Sequence, residues 1–404
     1  MQTRGEQMLA LRRARLAASL PFLRGGFRPF FFGGAAWAVL ALLLWLAALS
    51  GMITLPSALD ALAWHRHEML FGFVGAVICG FLLTAIPNWT GRLPIAGSPL
   101  AALFGFWLAA RLALLFSGVS GIALAVVLDV GFYLLLAGLF AREVASAGNR
   151  NLPIVALVLL FGVANALDYA GATGMLSDVG LGYRAGMTIV VLMISLVGGR
   201  IVPSFTRNWL AKRSIKGRLP GQATRYDLAT IAVTAAAMIA WAALPHDRFA
   251  GAMLILAGIL QAIRLGRWQG VRAAADPLVL ILHVGYAWVP IGLTLLGVSI
   301  LGPAVPETAA IHALTAGAMA TMILAVMTRA TLGHTGRELR ADGSTIVLYL
   351  LVTLGAALRV AAPFGVFDYM AGIELAGLAW AAAFLMFLFT YGPMLIRPRI
   401  DGRP

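Results

Sequence analysis

The chain has 404 residues, of which 61% are hydrophobic and only 11% charged. Soluble domains carry roughly 25% charged residues, so a soluble globular fold is excluded and an all-α, polytopic membrane protein is expected. The formal net charge of +14 would suit nucleic acid, but nearly all the basic residues sit in short gaps between apolar runs, as membrane topology demands.

Residues 1–28 form a basic segment rich in arginine, within which LALRRARLAASL is expected to lie as an amphipathic surface helix. A transmembrane domain then runs over 29–396, and 397–404 form a short tail. Twelve apolar segments can be drawn, at about 30–50, 67–86, 99–116, 122–141, 152–170, 185–202, 228–244, 249–263, 277–299, 308–328, 345–362 and 371–391. Gly and Pro punctuate most of the gaps. Both tails and the even-numbered gaps hold 25 of the 30 Lys and Arg residues. The odd-numbered gaps hold only Arg66, Arg184 and Arg248, while Arg111 and Arg359 lie inside segments. That asymmetry predicts cytoplasmic N- and C-termini. Cys79 is the only cysteine, so an internal disulfide is excluded.

A period of four segments runs through the pattern. Segments 2, 6 and 10 end in related polar strings: PNWTGR at 87–92, GGRIVPSFTRNW at 198–209 and TRATLGHTGR at 328–337. Segments 3 and 11 share an arginine among small residues, Arg111 and Arg359. Three four-helix repeats account for this better than two six-helix halves.

Topology places the six histidines. His65 and His67 stand at the outer mouth of segment 2, and His312 lies about one turn into segment 10 from the same side. His246 lies in the outer gap after segment 7, and His283 and His334 lie toward the inner side. Titratable, metal-competent side chains at a membrane helix are costly unless they bind something, and facing imidazoles suit axial haem ligation or copper. His65 and His67 are about 200° apart around a helix, so one helix cannot present both to one metal. The plainer alternative is a set of water-facing interfacial histidines.

Arg66, Arg184 and Arg359 lie in the outer third, where arginine suits the bidentate carboxylates of haem propionates. Internal ion pairing is the competing reading: Arg111 with Asp129, and Arg359 with Glu374. Asp168 reads as a helix-end hydrogen-bond acceptor or a proton-pathway group. No Walker loop, HExxH or GxSxG string occurs, which leaves the enzyme chemistry of soluble folds without support.

Several strings together resemble the NnrS family of haem- and copper-containing bacterial inner-membrane proteins of the nitric-oxide response. They are Phe27-Arg28-Pro29-Phe30-Phe31, the stretch Trp64–Arg92, Gly199-Arg200-Ile201-Val202-Pro203 with Thr206-Arg207-Asn208-Trp209, His312-Ala313-Leu314-Thr315-Ala316-Gly317, and Thr328-Arg329-Ala330 with Gly333-His334-Thr335-Gly336-Arg337. The resemblance covers about 25–395. It implies twelve helices, bound haem (of the b type) with copper as a further metal, and protection from nitric oxide or its iron-nitrosyl products. A more distant likeness is to the catalytic subunits of haem-copper oxidases and nitric-oxide reductases, which also place haem histidines on helices two and ten. The likeness breaks at their copper site, since segment 6 here has no histidine.

The sequence thus points to a haem held by His65, His67 and His312, with Arg66, Arg184 and Arg359 toward the cofactor's carboxylates and His283 and His334 as further metal ligands. The ligand would be nitric oxide or another small diatomic; nucleic acid is not a partner. Two other readings stay open: a secondary transporter of a small solute, or a quinone-linked electron carrier using His283 and His334. If the chain is an enzyme, it is a haem-dependent oxidoreductase acting on nitric oxide.

Overall fold

The computed structural model describes residues 10, 14, 18–148 and 151–402, and among these it is helical with no strand. The surface helix expected over LALRRARLAASL falls largely outside the described residues. Twelve helices are long and apolar enough to cross a membrane: α1 (Phe27–Leu49), α2 (Ala61–Thr90), α3 (Ser98–Leu115), α4 (Ile122–Ser146), α5 (Leu152–Ala172), α6 (Leu181–Lys212), α7 (Arg225–Ala243), α8 (Arg248–Gly266), α9 (Pro277–Leu301), α10 (Glu307–His334), α11 (Gly343–Phe364) and α12 (Tyr369–Ile396). The expected multi-pass, all-α architecture is what the chain adopts.

The starts of these helices follow from local chemistry. Asp60, Asp247, Asp276 and Asp342 each turn a carboxylate back onto the first free backbone N–H groups of α2, α8, α9 and α11. Thr224 and Asp227 close a reciprocal capping box at α7. The α2 C-terminus is stopped by Gly91, whose φ of 69° is the left-handed conformation that favours glycine.

Three of the helices are not uniformly α-helical. α2, α6 and α10 each contain a π-helical segment, at Glu68–Val74, Ile194–Gly198 and Ala313–Met319. These are the helices that the related polar strings connect. A π turn shifts backbone hydrogen bonds and leaves carbonyls for other donors. In α2 those donors arrive from neighbouring helices: Trp107 Nε1 bonds the Gly72 carbonyl at 3.0 Å, and the Tyr133 hydroxyl bonds that of Phe71. In α6 the Ser195 carbonyl takes a hydrogen bond from Arg264 at 2.9 Å.

The chain divides into two compact units. The first comprises Met1–Tyr183 with Ala330–Glu338 and Phe387–Pro404; the second comprises Arg184–Arg329 with Leu339–Met386. Between lipid-soluble helices, apolar burial supplies little net attraction, so close packing and interhelical hydrogen bonds hold the bundle. In the first unit an aromatic cluster packs α1 against α3 and α4, with Phe30 ring centroids 5.5 Å from Phe104 and 6.2 Å from Phe132. Each such pair contributes about 0.5–1.5 kcal/mol beyond its buried area.

Candidate functional site

Two glycines on α2 make the polar interior of the first unit. A Cβ on Gly72 would strike the Glu68 carboxylate and Arg111, and one on Gly75 would strike the Tyr133 hydroxyl. Into the space they leave, α2 turns His67 and Glu68, both 0% exposed. His67 Nδ1 lies 2.8 Å from Asp168 Oδ2 of α5, and Nε2 lies 2.9 Å from Asp129 Oδ2 of α4. Asn165 and Tyr169 also donate to Asp129 Oδ2, at 3.1 and 3.2 Å. Arg111 of α3 pairs with Asp129 and reaches Glu68 Oε2 at 2.8 Å, where Trp37 Nε1 of α1 also donates at 2.6 Å. Arg66 closes the outer edge, 3.8 Å from Asp168 and over the Tyr183 ring.

This geometry fixes the protons. An ionised carboxylate only accepts hydrogen bonds, so an imidazole between two carboxylate oxygens must present N–H on both sides. With Asp129 and Asp168 both ionised, His67 is an imidazolium, and Arg66, His67 and Arg111 balance Glu68, Asp129 and Asp168 charge for charge. His67, expected as a metal ligand, has both ring nitrogens against carboxylate oxygens in this arrangement. The Arg111–Asp129 pairing expected from the sequence is present. Asp168, read as a helix-end acceptor, anchors the imidazole instead.

His65 faces elsewhere. Its ring stacks on Trp45 of α1 with centroids 4.1 Å apart and planes 19° apart. His334, at the end of α10, lies 5.3 Å from the Phe27 ring, ring centroid to ring centroid.

The second unit holds its own buried network, which the sequence reading passed over. Arg264 of α8 is 1% exposed and donates to Asp227 of α7 at 2.9 Å and to the Tyr286 hydroxyl of α9 at 3.0 Å. Gln261 ties Tyr286, Ser195 and Thr234 together at 2.8 to 2.9 Å. The apolar runs stop just short of Asp227 and Arg264; α7 and α8 extend to include both.

His312 sits where α10 changes from α to π geometry. Its Nδ1 lies 2.7 Å from the Thr308 carbonyl, so that nitrogen carries the proton and Nε2 keeps a free lone pair. Arg359 of α11 reaches Thr308 Oγ1 at 3.4 Å and hydrogen-bonds Tyr369. Its NH1 is buried with no hydrogen-bond partner among the described residues. The Arg359–Glu374 pair expected from the sequence does not form, since Glu374 is exposed. Arg184 donates to the Ala242 carbonyl at 3.0 Å.

His283 is already committed. The Thr206 hydroxyl donates to the Val202 carbonyl at 2.8 Å and so accepts from His283 Nε2 at 2.8 Å. The other edge of the ring is covered by Gly270, where a Cβ would strike Nδ1. Among the described residues no three His, Cys, Asp or Glu side chains are grouped to hold a metal ion.

Comparison with known proteins gives one family. The model described as NnrS protein matches residues 21–399. No curated protein matches the chain.

Proposed function

The chain belongs to the NnrS family, and from that premise we propose that it is a haem-binding inner-membrane protein that binds, scavenges or converts nitric oxide or its iron-nitrosyl products. The observation that carries the haem reading is the pairing of His312 with Arg359. An imidazole whose Nδ1–H is held by a backbone carbonyl presents Nε2 to an iron in a fixed orientation, with raised basicity. A guanidinium with a buried, unpartnered N–H nearby suits a carboxylate such as a haem propionate. His312 would hold the iron of a b-type haem through Nε2, and Arg359 would take a propionate. His65, with its ring steadied by Trp45, is the second candidate ligand. Copper remains a proposal from the family alone.

When bound, the haem would supply an iron whose open coordination position takes a diatomic gas. The chain's part is to orient His312, to compensate the propionate charge and to keep water from the site.

Haem content per chain tests this reading. Purified wild-type protein should be red, with a Soret band that shifts on reduction and on adding nitric oxide. His312→Ala should lose most of its haem while retaining its fold, with imidazole restoring the band. A colourless wild-type protein reconstituted with haem to no effect would end the proposal.

A further inference from the structure

Two of the strings that carry the family resemblance, Phe27–Phe31 and Gly333–Arg337, come together at one end of the first unit. Arg28, at the start of α1, is 3% exposed. Its NH1 donates to the carbonyls of Leu395 and Arg397 at 2.7 and 2.8 Å. Arg399 donates to the His334 carbonyl at 2.9 Å and grips Asp401 with two hydrogen bonds of 2.8 and 2.6 Å. Arg24 and Arg337 complete the group, since Arg24, Arg399 and Arg337 all repel the Arg28 guanidinium. His334 lies beside Arg399 and Arg28.

Four guanidinium groups therefore converge with one carboxylate, Asp401, among them. Glu338, next in the chain to Arg337, is exposed. A basic rim on exposed loops would need no explanation beyond topology. This one is different. Arg337 NH1 is buried and has no acceptor among the described residues. A buried donor left unmade costs about 1–3 kcal/mol, more when charged, and like charges at this spacing repel in a medium of low dielectric.

We propose that this end of the first unit binds a phosphate-class oxyanion, with Arg337 as the main contact and Arg28 and His334 beside it. A phosphodiester headgroup of an anionic lipid and a soluble phosphate share this chemistry. Planar guanidinium forks match phosphate oxygens in pairs, and α1, α10 and α12 end close enough together to hold one such group. Asp401 keeps Arg399 in place rather than competing for the anion.

The test uses the full-length chain purified in detergent. Native mass spectrometry of wild type should show one phosphatidylglycerol or cardiolipin retained in preference to phosphatidylcholine. Arg337→Gln should bind it about tenfold more weakly, while Arg248→Gln, an exposed arginine of the second unit, should match wild type. A thermal shift by inorganic phosphate in delipidated wild type, absent in Arg337→Gln, would support the same site with a soluble occupant. Equal lipid retention in all three proteins with no phosphate effect would overturn the proposal. So would loss of haem in Arg337→Gln with lipid retention unchanged, which would make the occupant a propionate. Should Arg337→Gln fail to fold, wild type alone still decides: no preference for anionic over zwitterionic lipid, and no stabilisation by phosphate, would refute it.

Discussion

His67 and Asp168 are joined through the imidazole Nδ1 at 2.8 Å, and that bond links α2 to α5 at a depth where neither residue touches solvent. Removing one member of such a buried set leaves an uncompensated charge, which typically costs 3–5 kcal/mol. His67→Ala is therefore expected to destabilise the protein by about 3–5 kcal/mol, read as a lower unfolding midpoint in detergent. The double variant His67→Ala/Asp168→Asn should be less unstable than the sum of its parts. Strict additivity of the two changes would refute the cluster.

His312 behaves oppositely. Its ring hydrogen-bonds only within its own helix, to the Thr308 carbonyl at 2.7 Å and the Thr308 hydroxyl at 3.4 Å, so its loss opens no ion network. His312→Ala should shift the unfolding midpoint little compared with His67→Ala, and should lower haem content far more. A matched loss of stability in both variants would deny His312 the separate role assigned to it.

Glycine spacing gives a third expectation. Gly75→Ala puts a methyl group into the Tyr133 hydroxyl, and forcing that contact should cost about 1–3 kcal/mol. Gly138→Ala, on α4 with nothing within 4 Å of the added carbon, should be neutral or stabilise by about 0.5–1 kcal/mol through helix propensity. Thermal melts of the two single variants make the comparison directly.

Asp342 supplies a dependence on pH. Hydrogen bonds from the Thr345 hydroxyl and backbone N–H, each to Oδ1, hold its carboxyl below the usual carboxylate range. A group depressed in the folded state stabilises above its unfolded value and loses that contribution as pH falls through the folded one. Asp342→Ala should cost about 1 kcal/mol at neutral pH, and its deficit against wild type should shrink in acid below the ordinary carboxylate range. A deficit independent of pH would show that the cap acts without its charge.

Much of this architecture was legible in the residues. Apolar length alone marks all twelve helices, because a membrane helix needs only about 20 apolar residues. Hydropathy misplaces their ends where a helix carries charge, and there the site was lost. Asp227 and Arg264 read as loop residues because each run appears to stop at its charge; the partner that makes the charge tolerable sits on another helix. Glu68 lies inside the second apolar run, where the pattern names no partner for it; Gly72, four residues on, is the sign that something bulky shares its face. His65, His67 and His312 fall on α2 and α10, where their apolar runs put them, but the sequence does not say what each ring touches. Nothing in the spacing of His65, His67 and His312 says that one is enclosed by carboxylates and another held by a carbonyl.

Arg28 carries a consequence for biogenesis. Its guanidinium is answered by the carbonyls of Leu395 and Arg397, more than 360 residues downstream. During synthesis the first helix enters the bilayer long before those carbonyls exist, so its leading cation must wait at the lipid surface. The first unit therefore cannot be finished until translation ends, and a chain that terminates before α12 should be a substrate for quality-control proteolysis rather than a smaller working protein.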